Sequence, residues 1–253
     1  MNIYQAIISG FVQGLTEFFP ISSSGHLVLL HSIFGFKTPE IAFDVFLHIG
    51  TLLSVLIFFR KEIVEIVLKD RKMLYLLAWA SVPTFIIGFL LKDPAERFFS
   101  SPEFVGYMLI LNGAWLFTAW YFTSKKRTGK KIGPVNSFLV GVAQGVAVIP
   151  GISRSGATIS TALISGIDGE SAVKFSFLLS IPAILGASVL KIASIGKSIS
   201  TGSAPQFLAG ALTAMAVGIL AIKALMALVK NNRLKPFAAY CVLAGLVIIL
   251  ISR

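Results

Sequence analysis

The segment GFVQGLTEFFPISSSGH, residues 10–26, recurs without a gap as GVAQGVAVIPGISRSGA, residues 141–157. Gln13 falls on Gln144, and the offset of 144 − 13 = 131 positions holds along the whole segment. The likeness continues at the same offset into the apolar segment that follows each copy. A match over two successive segments indicates an internal repeat, and this repeat organises the prediction of the fold.

The composition is typical of a membrane protein and excludes an ordinary soluble domain. Of the 253 residues, 56% are hydrophobic and 13% are charged, and the mean hydropathy is +0.87. A helix needs about 20 apolar residues to cross roughly 30 Å of bilayer hydrocarbon, and its backbone groups must be paired internally. Six windows are predicted to form full transmembrane helices: residues 43–60, 73–91, 104–123, 172–193, 206–229 and 236–252.

Two further apolar stretches, residues 3–35 and 134–168, are interrupted near their centres by Pro, Gly and Ser. Each is predicted to form a re-entrant helix-loop-helix segment. Three predicted spans separate them, so the second copy should be inverted relative to the first. We therefore expect an all-α polytopic membrane protein with one membrane domain, residues 1–253, made of inverted repeats at 1–123 and 134–253. In transporters of this architecture, broken helices from opposite faces meet near the bilayer midplane and form the binding site.

The net charge of +11 is concentrated in three predicted loops. By the positive-inside rule these loops are cytoplasmic, which places both termini and the opening of the site on the outer face. No surface combining basic and aromatic residues is evident, so a nucleic-acid partner is not expected. The basic residues are Arg60, Lys61, Lys69, Arg71 and Lys72, then Lys125, Lys126, Arg127, Lys130 and Lys131, and finally Lys230, Arg233 and Lys235.

The repeated Ser-Gly loops are predicted to bind anions. Pro20 is expected to end the first helix, because it lacks an N–H group and clashes with the turn before it. The serines after it are expected to cap a new helix that begins near Gly25. The N-terminus of a helix offers unpaired N–H groups and a positive dipole end, which suit phosphate. Two such loops facing each other across a polar pocket would suit a diphosphate.

The positions that differ between the copies carry most of the predicted chemistry. Ser23 of the first copy corresponds to Arg154 of the second, and Glu17 and His26 correspond to apolar residues. An arginine at membrane depth costs about 2.5–3.5 kcal/mol, so it needs a partner, and its planar group matches phosphate oxygens. That partner is phosphate, a structural ion pair with Glu17, or both.

Four polar residues within the apolar segments are candidates for a role in the site or in helix packing. Glu17 is expected to bind a divalent cation, to orient a base or to act as a plain capping carboxylate, and His26 to act as base, acid or nucleophile. His48 is a further candidate for the pocket. Asn112 is expected to form a hydrogen bond between helices.

The segments QGLTEFFPISSSGH and PGISRSGATIS closely resemble the two signature segments of the BacA-type undecaprenyl-diphosphate phosphatases. FDVFLHIGTLLSV and KFSFLLSIPAILG resemble the spans that follow those segments, so the resemblance covers essentially the whole chain. It implies hydrolysis of undecaprenyl diphosphate to undecaprenyl phosphate, which recycles the lipid carrier for peptidoglycan synthesis and gives bacitracin resistance. It also implies a multi-pass protein of the bacterial plasma membrane that depends on a divalent cation, Mg²⁺ or Ca²⁺.

Carried onto this chain, the resemblance implies catalytic roles for Glu17, Ser23, His26 and Arg154, with Glu17 also binding the metal. One residue departs from the pattern, because many family members have a glutamate where this chain has Gln13. A cation site built from two carboxylates is therefore not expected. The residues predicted to bind substrate are Gln13, Ser22, Ser24, Gly25, Ser153, Ser155, Gly156 and Thr158.

Two routes for the reaction stay open at the level of sequence. Ser23, deprotonated by His26 or Glu17, attacks the phosphate and forms a phosphoserine, or a water activated by His26 attacks directly. A second class of function also stays open, since inverted repeats with broken helices are typical of a transporter or flippase of polyprenyl phosphate lipids. The protein is expected to contact membrane lipid, and a homo-oligomer is possible.

Overall fold

A computed structural model describes residues 1–35, 41–98, 101–125, 129–195 and 204–252, and these ranges form eleven α-helices. Within them the only β pairing is an isolated bridge between Lys130 and Ile167. The prediction of an all-α protein is confirmed. The helices are α1 (Ile3–Thr16), α2 (Ser23–Ile33), α3 (Ile41–Phe58), α4 (Arg60–Leu68), α5 (Arg71–Phe98), α6 (Pro102–Lys125), α7 (Pro134–Val146), α8 (Arg154–Ile164), α9 (Gly169–Ile195), α10 (Ala204–Lys230) and α11 (Lys235–Ile251).

Four of the described helices, α5, α6, α9 and α10, are long and apolar enough to cross a bilayer. A fifth span results if α3 and α4 are taken together, although the chain bends by 71° between them. The predicted span at 236–252 falls on α11, whose 17 residues give a length of only about 26 Å. The described helices confirm a polytopic membrane protein.

The two interrupted stretches each form a pair of short helices. The arms α1 and α2 have 14 and 11 residues, and α7 and α8 have 13 and 11. At 1.5 Å per residue, each arm is about 17–21 Å long and is too short to cross the hydrocarbon. The arms of each pair pack against one another. We call α1–α2 hairpin one and α7–α8 hairpin two.

The loop of hairpin one ends earlier than the sequence predicted. Helix α1 ends at Thr16, four residues before Pro20, and α2 begins at Ser23 and not near Gly25. The prediction that Pro20 ends the helix is confirmed, because a proline ring clashes with the carbonyl group four residues earlier, which here belongs to Thr16. The early end places Glu17 at the helix cap, on the turn.

Each hairpin is packed against a helix from the other half of the chain. Helix α1 packs against α10, and α7 packs against α5. Glycines permit both approaches: a Cβ atom on Gly10 would overlap the carbonyl group of Gly210, and one on Gly141 would overlap that of Ala80. Close contact through small residues is the usual means of helix association in lipid.

The basic loops lie together at one end of the helix bundle. Helix α7 begins just after Lys131, and the turn that follows α8 meets Lys130, so hairpin two starts and finishes at this end. Lys126 and Arg127 lie outside the described residues. The contacts that join the loops are Lys174 Nζ to Glu62 Oε1 at 3.5 Å, Lys230 Nζ to Glu170 Oε2 at 3.7 Å, and Lys130 N–H to the Gly166 carbonyl at 3.0 Å.

Hairpin one starts and finishes at the other end of the bundle. His31, near the end of α2, has its Nε2 atom 3.7 Å from Oδ1 of Asp44, in the first turn of α3. The opposite end of α3 leads to Arg60 and the basic loops. The two hairpins therefore approach each other along the bundle axis from opposite ends. Which end faces the cytoplasm, and the division into repeats, stay predictions.

Candidate active site

Glu17 lies at the centre of a polar cluster where the hairpin loops meet, and only 7% of it is exposed. Its Oε1 atom accepts a hydrogen bond from Arg154 Nη2 at 2.7 Å. Its Oε2 atom accepts from Ser23 Oγ at 2.6 Å and from Gln13 Nε2 at 3.2 Å. One carboxylate thus joins a hydroxyl group of hairpin one to a guanidinium group of hairpin two.

Core packing holds the turn that carries Glu17. The next residue, Phe18, is fully buried, and its ring meets that of Phe177 edge-on at 5.2 Å. Phe177 belongs to α9, the span that follows hairpin two. A buried aromatic pair of this geometry is worth about 0.5–1.5 kcal/mol beyond the burial of its area. The core therefore anchors the backbone beside the carboxylate.

Arg154 is the first residue of α8, and the helix cap before it is well formed. Ser153 is the N-cap, and its Oγ accepts from the N–H group of Gly156 at 3.1 Å. The guanidinium group uses Nη2 for Glu17, while Nη1 is buried and has no hydrogen-bond partner in the part of the chain that the structure describes. A buried, unpaired N–H group is costly, so Nη1 is suited to bind an anion.

Gln13 and Glu17 suit a divalent cation. The Gln13 side chain is fully buried, and its Oε1 atom has no partner among the described residues. Mg²⁺ and Ca²⁺ prefer oxygen ligands, and Mg²⁺ is commonly held by one or two carboxylates together with substrate phosphates. Within the described ranges, no three His, Cys, Asp or Glu residues are grouped to hold a metal. The donor set fits a cation that takes most of its ligands from substrate and water.

His48 lies beside Glu17, as the sequence suggested. Its Nε2 atom is 3.8 Å from Glu17 Oε2, and about a third of the side chain is exposed. The Nδ1 atom is 2.8 Å from the Asp44 carbonyl oxygen. Because a carbonyl oxygen can only accept, Nδ1 carries a proton and Nε2 is the atom that faces the site.

His26 makes different contacts from those expected. Its Nδ1 atom donates to the Ser22 carbonyl at 2.7 Å, and its Nε2 atom accepts from the hydroxyl of Tyr240, on α11, at 2.6 Å. The two rings are stacked, with centroids 5.7 Å apart. Ser22 has a left-handed backbone, with φ of +69°, just before α2 begins. The role of His26 as a base stays a prediction.

The predicted substrate-binding serines do not all point at the cluster. Ser22 Oγ lies 3.3 Å from Ser24 Oγ. Among the described residues, no side chain is bonded to the N–H groups of Ser24 and Gly25. In hairpin two, Ser153 Oγ lies 3.1 Å from Ser155 Oγ, which donates to a carbonyl of hairpin one. The first turn of α2 therefore keeps N–H groups for an anion, whereas in α8 the Ser153 cap uses the N–H group of Gly156.

Thr158 bonds within α8 and to α9. Its hydroxyl donates to the Arg154 carbonyl at 2.8 Å and lies 2.6 Å from Ser176 Oγ, and its side chain is fully buried. These contacts support the helix that presents Arg154. Binding of substrate by Thr158 stays a prediction.

Sequence reasoning did not indicate Tyr240, because neither the repeat nor its spacing marks a residue 214 positions from His26. Asn112 was expected to join two helices, and its contact with Cys241 on α11, at 3.3 Å, confirms this. Its side chain also bonds to the loops of both hairpins. The signal for that wider role was a single amide within an apolar span.

Comparison with known proteins identifies the family of this chain. The model of the family described as bacitracin resistance protein BacA matches residues 6–247. The chain belongs to this family. It is 44% identical to the undecaprenyl-diphosphatase of Carboxydothermus hydrogenoformans, over 100% of this chain and 98% of that protein. It is 41% identical to the protein of the same name from Desulforapulum autotrophicum, over 99% and 98% of the two chains.

A third relative from Halothermothrix orenii, also named undecaprenyl-diphosphatase, is 40% identical over 100% of this chain and 99% of its own. The BacA family match spans both signature segments, and the resemblance predicted from them is confirmed. All the described helices fall inside the matched range, apart from the first three residues of α1 and the last four of α11.

Proposed function

We propose that the chain hydrolyses undecaprenyl diphosphate to undecaprenyl phosphate and inorganic phosphate, at the cluster around Glu17. The observation that carries the proposal is that Glu17 joins the Ser23 hydroxyl to the Arg154 guanidinium, from opposite hairpins. Full-length relatives that bear the name undecaprenyl-diphosphatase support it.

Binding of the diphosphate uses groups that have no hydrogen-bond partner among the described residues. Arg154 Nη1 and the N–H groups at the start of α2 would contact phosphate oxygens, while the prenyl tail remains in lipid beside the bundle. Phosphoryl transfer requires in-line attack and neutralisation of charge on the equatorial and leaving oxygens. The guanidinium group supplies a fixed positive charge for this purpose.

In the first step, Ser23 Oγ attacks the terminal phosphorus and Glu17 takes the hydroxyl proton. The Oγ–P bond forms, the bond from phosphorus to the bridging oxygen breaks, and undecaprenyl phosphate leaves. In the second step, a water oxygen attacks the phosphorus, the Oγ–P bond breaks and Glu17 returns its proton to Ser23 Oγ. Inorganic phosphate leaves with the oxygen of the water, whose released proton passes to solvent. The 2.6 Å hydrogen bond between Ser23 and Glu17 favours this route over a water activated by His26, whose Nε2 is bonded to Tyr240.

A divalent cation would be held by Glu17 and Gln13 Oε1. It would supply further neutralisation of phosphate charge. The expected behaviour is loss of phosphate release with a chelator and recovery with added Mg²⁺ or Ca²⁺. Retention of the full rate in excess chelator would contradict this part of the proposal.

The site is proposed to open on the outer face of the bacterial plasma membrane. His48 is the seventh residue after the start of α3, about 10 Å along an 18-residue helix, so it lies nearer to the end opposite the basic loops. By the positive-inside rule the basic end is cytoplasmic.

The deciding experiment compares phosphate release with lipid transfer. Purified protein should release inorganic phosphate from undecaprenyl diphosphate in detergent with Mg²⁺, and Arg154→Ala should abolish the release. Vesicles containing the same protein serve to measure movement of the lipid between leaflets. Transfer without phosphate release, in samples whose folding is verified, would establish the flippase alternative and overturn the phosphatase proposal.

A further inference from the structure

Asn112 lies within α6, is fully buried and bonds to both hairpin loops at once. Its Nδ2 atom donates to the Pro20 carbonyl at 3.0 Å, and its Oδ1 atom accepts from the Ser153 N–H group at 3.2 Å. A carbonyl group can only accept and a backbone N–H group can only donate, so the orientation of the amide is unambiguous.

The two bonded backbone groups lie next to the reacting side chains. Pro20 is three residues before Ser23, and Ser153 immediately precedes Arg154. The loops also touch directly, since Ser155 Oγ donates to a carbonyl of hairpin one at 3.3 Å. The Asn112 amide thus spans the gap between the nucleophile's loop and the cation's loop.

The amide fits closely between the loops. A Cβ atom added to Gly156 would lie 2.7 Å from Asn112 Oδ1. Cys241 Sγ lies 3.3 Å from Nδ2 on the other side. Both polar ends of the amide are therefore engaged, and neighbouring atoms leave it little room to shift.

We propose that Asn112 is a positioning residue that sets the separation of Ser23 and Arg154. The inference rests on the proposed function and adds a residue that contacts neither the reacting atoms nor Glu17. In-line transfer requires the attacking oxygen and the guanidinium group to bracket one phosphoryl group. A misplacement of about 1 Å at such a site lowers the rate by about 100-fold, even when its cause lies away from the chemistry.

Removal of the amide leaves the Ser153 N–H group without its side-chain partner and leaves the Pro20 carbonyl with only the weaker Cys241 Sγ contact at 3.5 Å. The Pro20 carbonyl and the Ser153 N–H group would then lower their free energy by moving toward other hydrogen-bond partners. That movement would separate the two loops. Leucine is branched at the same carbon as asparagine, and it removes both hydrogen bonds because methyl groups replace the amide atoms. Aspartate keeps the acceptor for Ser153 but sets an oxygen against the Pro20 carbonyl.

The kinetic test uses Asn112→Leu and Asn112→Asp, with Cys241→Ala as the matched control. Both Asn112 variants should lower kcat by about 30-fold or more, with KM within about threefold, because the groups that bind the diphosphate remain. Cys241→Ala removes the weaker thiol contacts with Asn112 and with the Pro20 carbonyl, at 3.3 and 3.5 Å, but keeps both loop bonds of Asn112, so it should retain kcat within about threefold. Folded Asn112→Leu protein with the wild-type kcat would overturn the inference.

A distance measurement makes the test independent of activity. Cys241 is the only cysteine, so Cys241→Ala provides a cysteine-free chain. Spin labels at cysteines replacing Ile33, at the end of α2, and Ile164, at the end of α8, report the separation of the hairpins. Asn112→Leu should shift or broaden the distance distribution.

An unchanged distribution overturns the inference whatever the activity. If the wild-type protein releases no phosphate, the proposed function fails and the distance measurement alone decides whether Asn112 sets the loops. If the wild-type protein is active and Asn112→Leu alters neither kcat nor the distances, only the role of Asn112 fails.

Discussion

Two adjacent serines at the start of α2 have different surroundings. Ser23 donates to Glu17 at 2.6 Å, whereas Ser24 lies 3.3 Å from Ser22 Oγ. We expect Ser23→Ala to lower phosphate release by about 1000-fold or more and Ser24→Ala by less than about tenfold. Quenched wild-type reactions should contain phosphoserine at Ser23 by mass spectrometry. Activity of Ser23→Ala near the wild-type rate would contradict the serine route.

The contact between His26 and Tyr240 gives a second prediction about a single residue. Tyr240→Phe removes a hydrogen bond worth about 1 kcal/mol, which corresponds to about a fivefold loss in kcat/KM if it orients His26. Tyr107→Phe is the matched control, since it removes an exposed hydrogen bond to Glu103 at 3.1 Å. Equal rates for the two variants would show that the orientation of His26 does not limit the reaction.

The repeat made the meeting of Glu17 and Arg154 predictable, because each occupies a position where the copies differ and the copies were expected to face each other. The partner of His26 was not predictable. Tyr240 comes from the last helix, outside both repeated loops, and its approach depends on how α11 packs. Such long-range contacts carry no local periodicity.

Close helix contacts through glycine hold each hairpin against its neighbouring helix. We expect Gly141→Ser to destabilise the protein by about 1–3 kcal/mol, because its Cβ atom would overlap the Ala80 carbonyl where α7 meets α5. Gly133→Ser is the control, since nothing lies within 4 Å of a Cβ atom at that N-cap position and serine caps helices well. Thermal unfolding in detergent measures both.

A melting temperature for Gly141→Ser equal to that of Gly133→Ser would contradict the packing of α7 on α5. The same comparison bears on function, because a displaced α7 would carry Arg154 with it through hairpin two.

Helix positions were more predictable than helix ends. The Pro, Gly and Ser residues marked where each hairpin is interrupted. The exact end of the first helix at Thr16 is set by the clash of the Pro20 ring with the carbonyl group four residues earlier. The predicted span at 43–60 did not reveal the 71° bend after Phe58. The bend lies at Phe59, where the apolar segment ends and charged residues begin. Composition alone does not determine the angle between the two helices.

The whole molecule is predicted to place the hairpins on opposite sides of the membrane. In a Cys241→Ala chain, Asn2→Cys should react with an impermeant maleimide on intact cells, and Lys230→Cys only after permeabilisation. The reason is that α1 starts at the end opposite the basic loops. Labelling of both cysteines from the same side would contradict the arrangement, and reversed labelling would contradict its orientation.

The sequence predicted this arrangement from two independent patterns, the repeat and the grouping of basic residues. Neither pattern indicated that α1 packs on α10 and α7 on α5, so that each hairpin is held by the other half of the chain. Pairing of this kind depends on shape complementarity between helices that are apolar on most faces, and such faces look alike in the sequence.

The most direct test of a site shared by two hairpins is the rate of phosphate release after removal of the cation supplied by hairpin two. Arg154→Ala should lower the rate by about 1000-fold, and Arg154→Lys, which keeps the charge without the planar fork, by a smaller factor. Lys174→Ala removes a cation paired with a glutamate at the basic end, 3.5 Å from Glu62, and should retain the rate within about threefold. Folded Arg154→Ala protein with more than about a tenth of the wild-type rate would contradict the account.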